Sequence, residues 1–137
     1  MAYSLINYLT DIRSEVIAAV ASSGDVGSRV YIEGAVQDNP ELPYIVITDN
    51  GSSEDDYGVH EAGINASVNE FEVTVHTKTR SQGLELSDLI INYLNNKSGA
   101  LSNVNIGVIR FRGSFVDYNS ETKTVEQLND FTVYINN

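Results

Sequence analysis

Residues 49–63, DNGSSEDDYGVHEAG, gather the carboxylates of Asp49, Glu54, Asp55, Asp56 and Glu61 around His60, with no lysine or arginine among them. Oxygen-rich stretches of this kind hold hard cations, and carboxylates beside a histidine can act as acids, bases and metal ligands. An EF-hand loop needs oxygen ligands at alternate positions, glycine at the sixth and glutamate at the twelfth. Counted from Asp49, Gly51 arrives three places early and the fifth position is Ser53, so the pattern fails. Looser calcium binding by Glu54, Asp55 and Asp56 stays open.

The other chemistries are less well supplied. The two histidines, His60 and His76, stand sixteen residues apart, and a catalytic zinc site would have to draw carboxylates from elsewhere in the chain. The absence of cysteine excludes disulfides, thiolate metal sites and a cysteine nucleophile. The sequence has no G-x-S-x-G, no H-E-x-x-H and no phosphate-binding glycine loop, which are the local signatures of hydrolysis and nucleotide chemistry. Paired carboxylates for glycoside cleavage meet in space rather than in sequence, and nothing singles out a pair. Arg110-Phe-Arg112 puts two arginines on one strand face and the aromatic on the other, so it makes no platform on which bases stack. No catalytic, cofactor-binding or metal residue is assigned, and no cofactor is expected.

Charge narrows the partners. The 137-residue chain carries a net charge of −11, and ten acids lie between Arg29 and Lys78 with no lysine or arginine among them. Such a surface repels phosphate, so a groove gripping nucleic acid is not expected. It suits solubility, or a surface that lies beside DNA without holding it. The length fits a single domain, residues 1–137, large enough to bury a core without staples. The opening MAYSLINYLTDIRSEV lacks the basic and apolar regions of a signal peptide, and no apolar run reaches bilayer-spanning length. A soluble protein made without an export signal, with no membrane partner, is expected.

The elements that must position these residues follow from periodicity. Leu5, Leu9, Ile12, Val16 and Val20 recur at helical spacing within residues 3–21, widened by Ile6 and Ile17. Arg13 falls inside that stripe, either snorkelling at its edge or contacting another subunit. SSGDVG (22–27) ends the helix. Residues 28–34 form a short strand, residues 35–43 a proline-marked loop, and Tyr44–Thr48 a central strand apolar on both faces. Residues 65–79 alternate cleanly, with Phe71, Val73 and Val75 against Glu70, Glu72, Thr74, His76 and Lys78, which makes residues 49–63 the loop of a large hairpin. Ser81 caps a second helix over about 82–96. Leu86, Leu89, Ile90, Tyr93 and Leu94 share its main face, while Leu84 and Ile91 make a second stripe that would suit a neighbouring subunit. Strands 106–118 and 124–136 form a closing hairpin, with Ile109, Phe111 and Phe115 on one face and Val108, Arg110, Arg112 and Val116 on the other. Arg110 and Arg112 suit an ion pair or a subunit contact. The order is α-β-β-β-α-β-β, an α+β fold with two helices on a mainly antiparallel sheet.

Taken in order, the N-terminal amphipathic helix, SRVYIEG, ELPYIVIT, FEVTVHTKTRSQGLELSDLIINYLN and LNDFTVYIN resemble the small tail-completion proteins of tailed bacteriophages, the head-to-tail joining and tail-terminator family. The resemblance is carried by Arg29-Val-Tyr31, by Pro43-Tyr44 entering an apolar strand, and by a strand feeding directly into the second helix from Val73 through Leu94. It implies an α+β fold, a ring of six subunits capping the tail tube at the neck, and no catalysis. It implies the tail tube protein and head connector proteins as partners, DNA that passes without specific binding, and a place in the virion after synthesis in the host cytoplasm. The acidic residues Asp49, Glu54, Asp55, Asp56 and Glu61 are then expected in or beside the ring's channel. Two rivals predict otherwise. A monomeric binding module would not self-associate, and a carboxylate- or calcium-dependent enzyme would place its site in the acidic loop.

Overall fold

The first apolar stripe becomes a helix whose inner face is the one its spacing requires. Helix α1 spans Leu5–Val20, and Tyr8, Leu9, Ile12, Val16, Ala19 and Val20 are buried along it. One 3-10 turn, Ala21–Ser23, follows, and Gly24 stops it at φ +71°, a left-handed conformation that a residue without Cβ adopts freely. The computed structural model describes residues 5–36, 38, 40–54 and 66–136.

The remaining elements are β1 (Val30–Ile32), β2 (Tyr44–Glu54), β3 (Ala66–Thr77), α2 (Arg80–Leu94), β4 (Gly99–Ala100), β5 (Asn105–Asn119) and β6 (Thr124–Asn136). The strands form one sheet in the order β1-β2-β3-β6-β5-β4. Only β1 pairs in parallel, on β2; the other pairings are antiparallel. The expected α+β order is present, with a two-residue strand, β4, added before β5. Both helices pack on one face of the sheet, α1 toward β1 and β2, and α2 toward β3, β5 and β6.

The core gathers where the two hairpins meet. Phe71, Phe131 and Phe111 lie opposite one another on three neighbouring strands. The Phe71 and Phe131 rings stack at 5.2 Å, with Phe111 5.5 Å from Phe131 and Tyr8 6.1 Å from Phe71. Around them Ile12, Ile45, Ile47, Val73, Val75, Leu86, Ile90, Leu94, Ile109 and Val133 are buried.

Four expectations change. The cap of α2 is Thr79, whose hydroxyl accepts from the Gln82 amide at 3.2 Å, while Ser81 lies inside the first turn. β3 ends at Thr77, two residues short of the expected end, which frees Thr79 to cap the helix, and the Thr77 hydroxyl donates to the Thr79 carbonyl at 2.7 Å. Second, β2 is one strand in from the edge and has one buried face, Ile45 and Ile47, with Tyr44, Val46 and Thr48 half-buried opposite. Third, Asp49 and Glu54 belong to β2 rather than to a loop, because the strand runs past a bulge at Asp49/Gly51 as far as Glu54. Fourth, Phe115 leaves the face of Ile109 and Phe111. A bulge between Phe111 and Gly113 shifts the register by one residue and puts Phe115 opposite Leu128, with 54% of its surface exposed. One extra residue reverses every later side chain in a strand.

Gly83 lies inside α2 at a close approach to β3. A Cβ there would lie 3.1 Å from the Thr77 hydroxyl oxygen, so any larger residue would press on the Thr77 side chain where α2 meets the end of β3.

Candidate functional site

The residues that carry the resemblance meet in space. Arg29 Nε donates to the Pro43 carbonyl at 3.1 Å, and its guanidinium also reaches the Asp25 carbonyl. Tyr31 meets Tyr44 edge-on at 6.3 Å, and Tyr44 stacks on His76 at 4.3 Å with 7° between the rings. The three segments are thus one joint between β1, β2 and β3. Beside it a cavity of about 420 Å³ is lined by Pro40, Leu42, Tyr44, His76, Thr124 and Glu126, among others. Burial holds the His76 imidazole below its ordinary value, with the Glu126 carboxylate opposing. Burial also raises the Tyr44 phenol, and Glu126 and Tyr31 add to this. A neutral, stacked imidazole here braces the sheet.

The acidic surface has a base on the uncovered face of the sheet. Glu72 stands directly opposite Asp130. Together with Asn50, Glu70, Arg112 and Thr132 they line a shallow cavity of about 260 Å³. Burial raises the Glu72 carboxyl above its ordinary value, and Asp130 and Glu33 raise it further, while the Thr74 hydroxyl donates to Glu72 at 3.1 Å and pulls the other way. The sign for stability follows. Glu72 binds its proton more tightly folded than unfolded, so its contribution is full below its ordinary value of 4.5 and is lost as pH rises through the folded value. Glu72→Gln is therefore expected to raise the melting temperature at pH 7 and to lose that advantage by about pH 4. Thermal melts at the two pH values test this, and an equal gain at both would contradict it.

The other candidate residues are placed as follows. Asp49 is half-buried and Glu54 ends β2. Asp55, Asp56 and Glu61 lie outside the described residues, and with them His60 and most of the calcium reading. Among the described residues no group of three or more His, Asp or Glu side chains is placed to hold a metal ion. Arg13 is engaged within the chain, donating from Nε to the Val30 carbonyl at 2.6 Å and from Nη2 to the Ser28 carbonyl at 3.4 Å. Leu84 is 42% exposed, whereas Ile91 is half-buried and packs against the core. The second stripe of α2 is therefore only partly free. Arg110 and Arg112 are both exposed on β5.

Two structural polar residues were not singled out from the sequence. Asp11, buried in α1, accepts from the Asn103 and Val104 amides and from the Asn103 side chain. Asn129, fully buried, donates to the Val73 carbonyl at 3.2 Å and to the Ser87 hydroxyl at 3.0 Å, tying α2 to the middle of the sheet. The helical angle of Asp11, one turn beyond Tyr8, was the available signal. Asn129 offered one as well, since it alternates in phase with Phe131 and Val133.

Comparison with known proteins gives one family and a shared fold. The family model described as tail completion protein gp17 matches residues 13–136. A solved chain from the virion of a native gene transfer agent particle has the same fold, with a TM-score of 0.69 at 13% identity, covering 99% of this chain and 100% of that one. No curated protein matches the sequence.

Proposed function

Because the chain belongs to the tail completion protein gp17 family, and is thus a structural component of a phage-type tail in the virion, we propose that it closes into a ring of about six copies at the head–tail junction. There it completes or terminates the tail tube and joins it to the head, with the tail tube protein on one side and head connector proteins on the other. The observation that carries this reading is the family match over nearly the whole chain. The reading assigns no catalytic residue. No helix among the described residues is long and apolar enough to cross a membrane, and the reading needs none.

In this ring the acidic hairpin has a task. Six copies of residues 49–63 in or beside the channel would line it with carboxylates, which repel DNA phosphates and let the genome pass unbound. The sequence supports this with ten acids and no lysine or arginine between Arg29 and Lys78. Glu70 and Glu72 in the middle of β3, with Asp130 opposite Glu72 on β6, add carboxylates to the same sheet, around a cavity that Arg112 also lines. The variant Glu54→Gln/Asp55→Asn/Asp56→Asn is expected to assemble normally and to change DNA passage, measured as genome ejection from otherwise wild-type particles. A ring structure with residues 49–63 on the outer rim would contradict this placement.

The role itself is tested by adding the purified chain to tails assembled without it. Capping of one tube end, followed by joining to filled heads, is the expected result. Tails that join heads equally well without the chain would overturn it.

A further inference from the structure

The two ends of the sheet are unlike. At one end β1 is three residues long, and the carbonyls of Ser28 and Val30 beside it are taken by Arg13. The connection that follows carries Glu33, Val36, Asp38 and Glu41, all exposed. The nearest base, Arg29, is turned onto the Pro43 and Asp25 carbonyls. This end is acidic, with one exposed apolar side chain.

At the other end β5 is fifteen residues long, and β4 covers only Asn105 and Ile106. The end of α2 and the residues after it take over Ile109 and Phe111, through backbone bonds with Asn96 and Lys97 and the Asn95 side chain. From Arg112 to Asn119 no described strand pairs with the outer edge of β5. Phe115, Val116 and Tyr118 on this stretch are 54%, 38% and 59% exposed, beside Arg110 and Arg112, which are exposed although Arg110 also donates to the Asn96 side chain and Arg112 borders the cavity of Glu70, Glu72 and Asp130. A long unpaired edge carrying large apolar side chains is a template for another chain.

We propose that these ends are the two halves of one head-to-tail subunit contact, in which the β5 edge of one copy lies against the β1–β2 connection of the next. The proposal rests on the ring reading above. Charge names the occupant. Arg110 and Arg112 meet Glu33, Asp38 and Glu41, and Tyr118 meets Val36, so the surface that fits this edge is on the same chain. Because the halves sit at opposite ends of one sheet, one copy cannot satisfy both. A contact of this kind repeats, and a closed ring is its finite form.

The test exchanges the charges in the full chain. Arg110→Glu/Arg112→Glu alone, and Glu33→Arg/Glu41→Arg alone, should each reduce assembly at least tenfold in the concentration required. Their far-ultraviolet circular dichroism should match wild type, which separates a lost contact from a lost fold. A chain carrying both sets should assemble again. Since the protein has no cysteine, Val36→Cys/Tyr118→Cys gives an independent reading, and diamide oxidation should produce a ladder of covalent multimers. Wild-type rings with unaffected charge variants and no ladder would overturn this contact and leave the ring reading intact. A wild-type chain that forms no ring, alone or on tail tubes, would overturn both.

Discussion

Replacing Phe131 with alanine is expected to lower the unfolding free energy by about 3–5 kcal/mol, the usual cost of deleting a buried aromatic ring. Phe131 is 1% exposed and stands between Phe71 and Phe111, its cross-strand neighbours on β3 and β5. β6 joins the two hairpins, so the cavity opens at the seam of the sheet rather than at its margin. A loss of this size takes most of the stability of a domain that has about 5–15 kcal/mol to lose. Phe115→Ala is the matched control. It removes the same ring from a half-exposed position beyond the bulge, and should change stability by no more than about 0.5 kcal/mol. Urea unfolding of both variants checks the pair, and equal losses would contradict the assignment of the two faces.

Asp11→Ala is expected to cost about 2–3 kcal/mol, in the range for charged hydrogen bonds and the donors they leave unmet. Asp11 is 3% exposed, and Oδ2 accepts from the Asn103 amide at 2.8 Å and the Val104 amide at 3.0 Å, while Oδ1 accepts from Asn103 Nδ2 at 2.8 Å. The carboxylate fastens the segment before β5 to α1, ninety-two residues away in sequence. Asp11→Asn should cost nearly as much, because an amide presents a donor to at least one of the three donors it faces. Faster hydrogen exchange at Asn103 and Val104 in both variants would locate the loss. An Asn variant as stable as wild type would show that the clamp does not depend on two accepting oxygens.

The helices and the alternating strands were legible because their signals are local. The spacing of Leu9, Ile12, Val16 and Val20, and the alternation of Phe71, Val73 and Val75, name the faces that are buried. The adjacency of β6 to β3 was not legible, since pairing between distant strands leaves no periodic trace. For the same reason the opposed Glu72 and Asp130 were unreadable as a pair. Phe115 was misplaced by a bulge at Arg112, a single residue that periodicity cannot register. Ser81 is the better cap by residue type, and the end of β3 at Thr77 gives the position to Thr79 instead. The family was legible from an ordered set of segments, Arg29-Val-Tyr31, Pro43-Tyr44 and Val73 through Leu94, and the fold brings Arg29, Tyr31, Pro43, Tyr44 and His76 into one joint that no local pattern foretold.

Ring closure is the central claim, and native mass over a concentration series, with negative-stain images of the same samples and of samples mixed with tail tubes, tests it most directly. The account predicts closed rings of about six subunits, free in solution or seated on a tube end. A monomer at every concentration, with bare tube ends in the mixed samples, would contradict it.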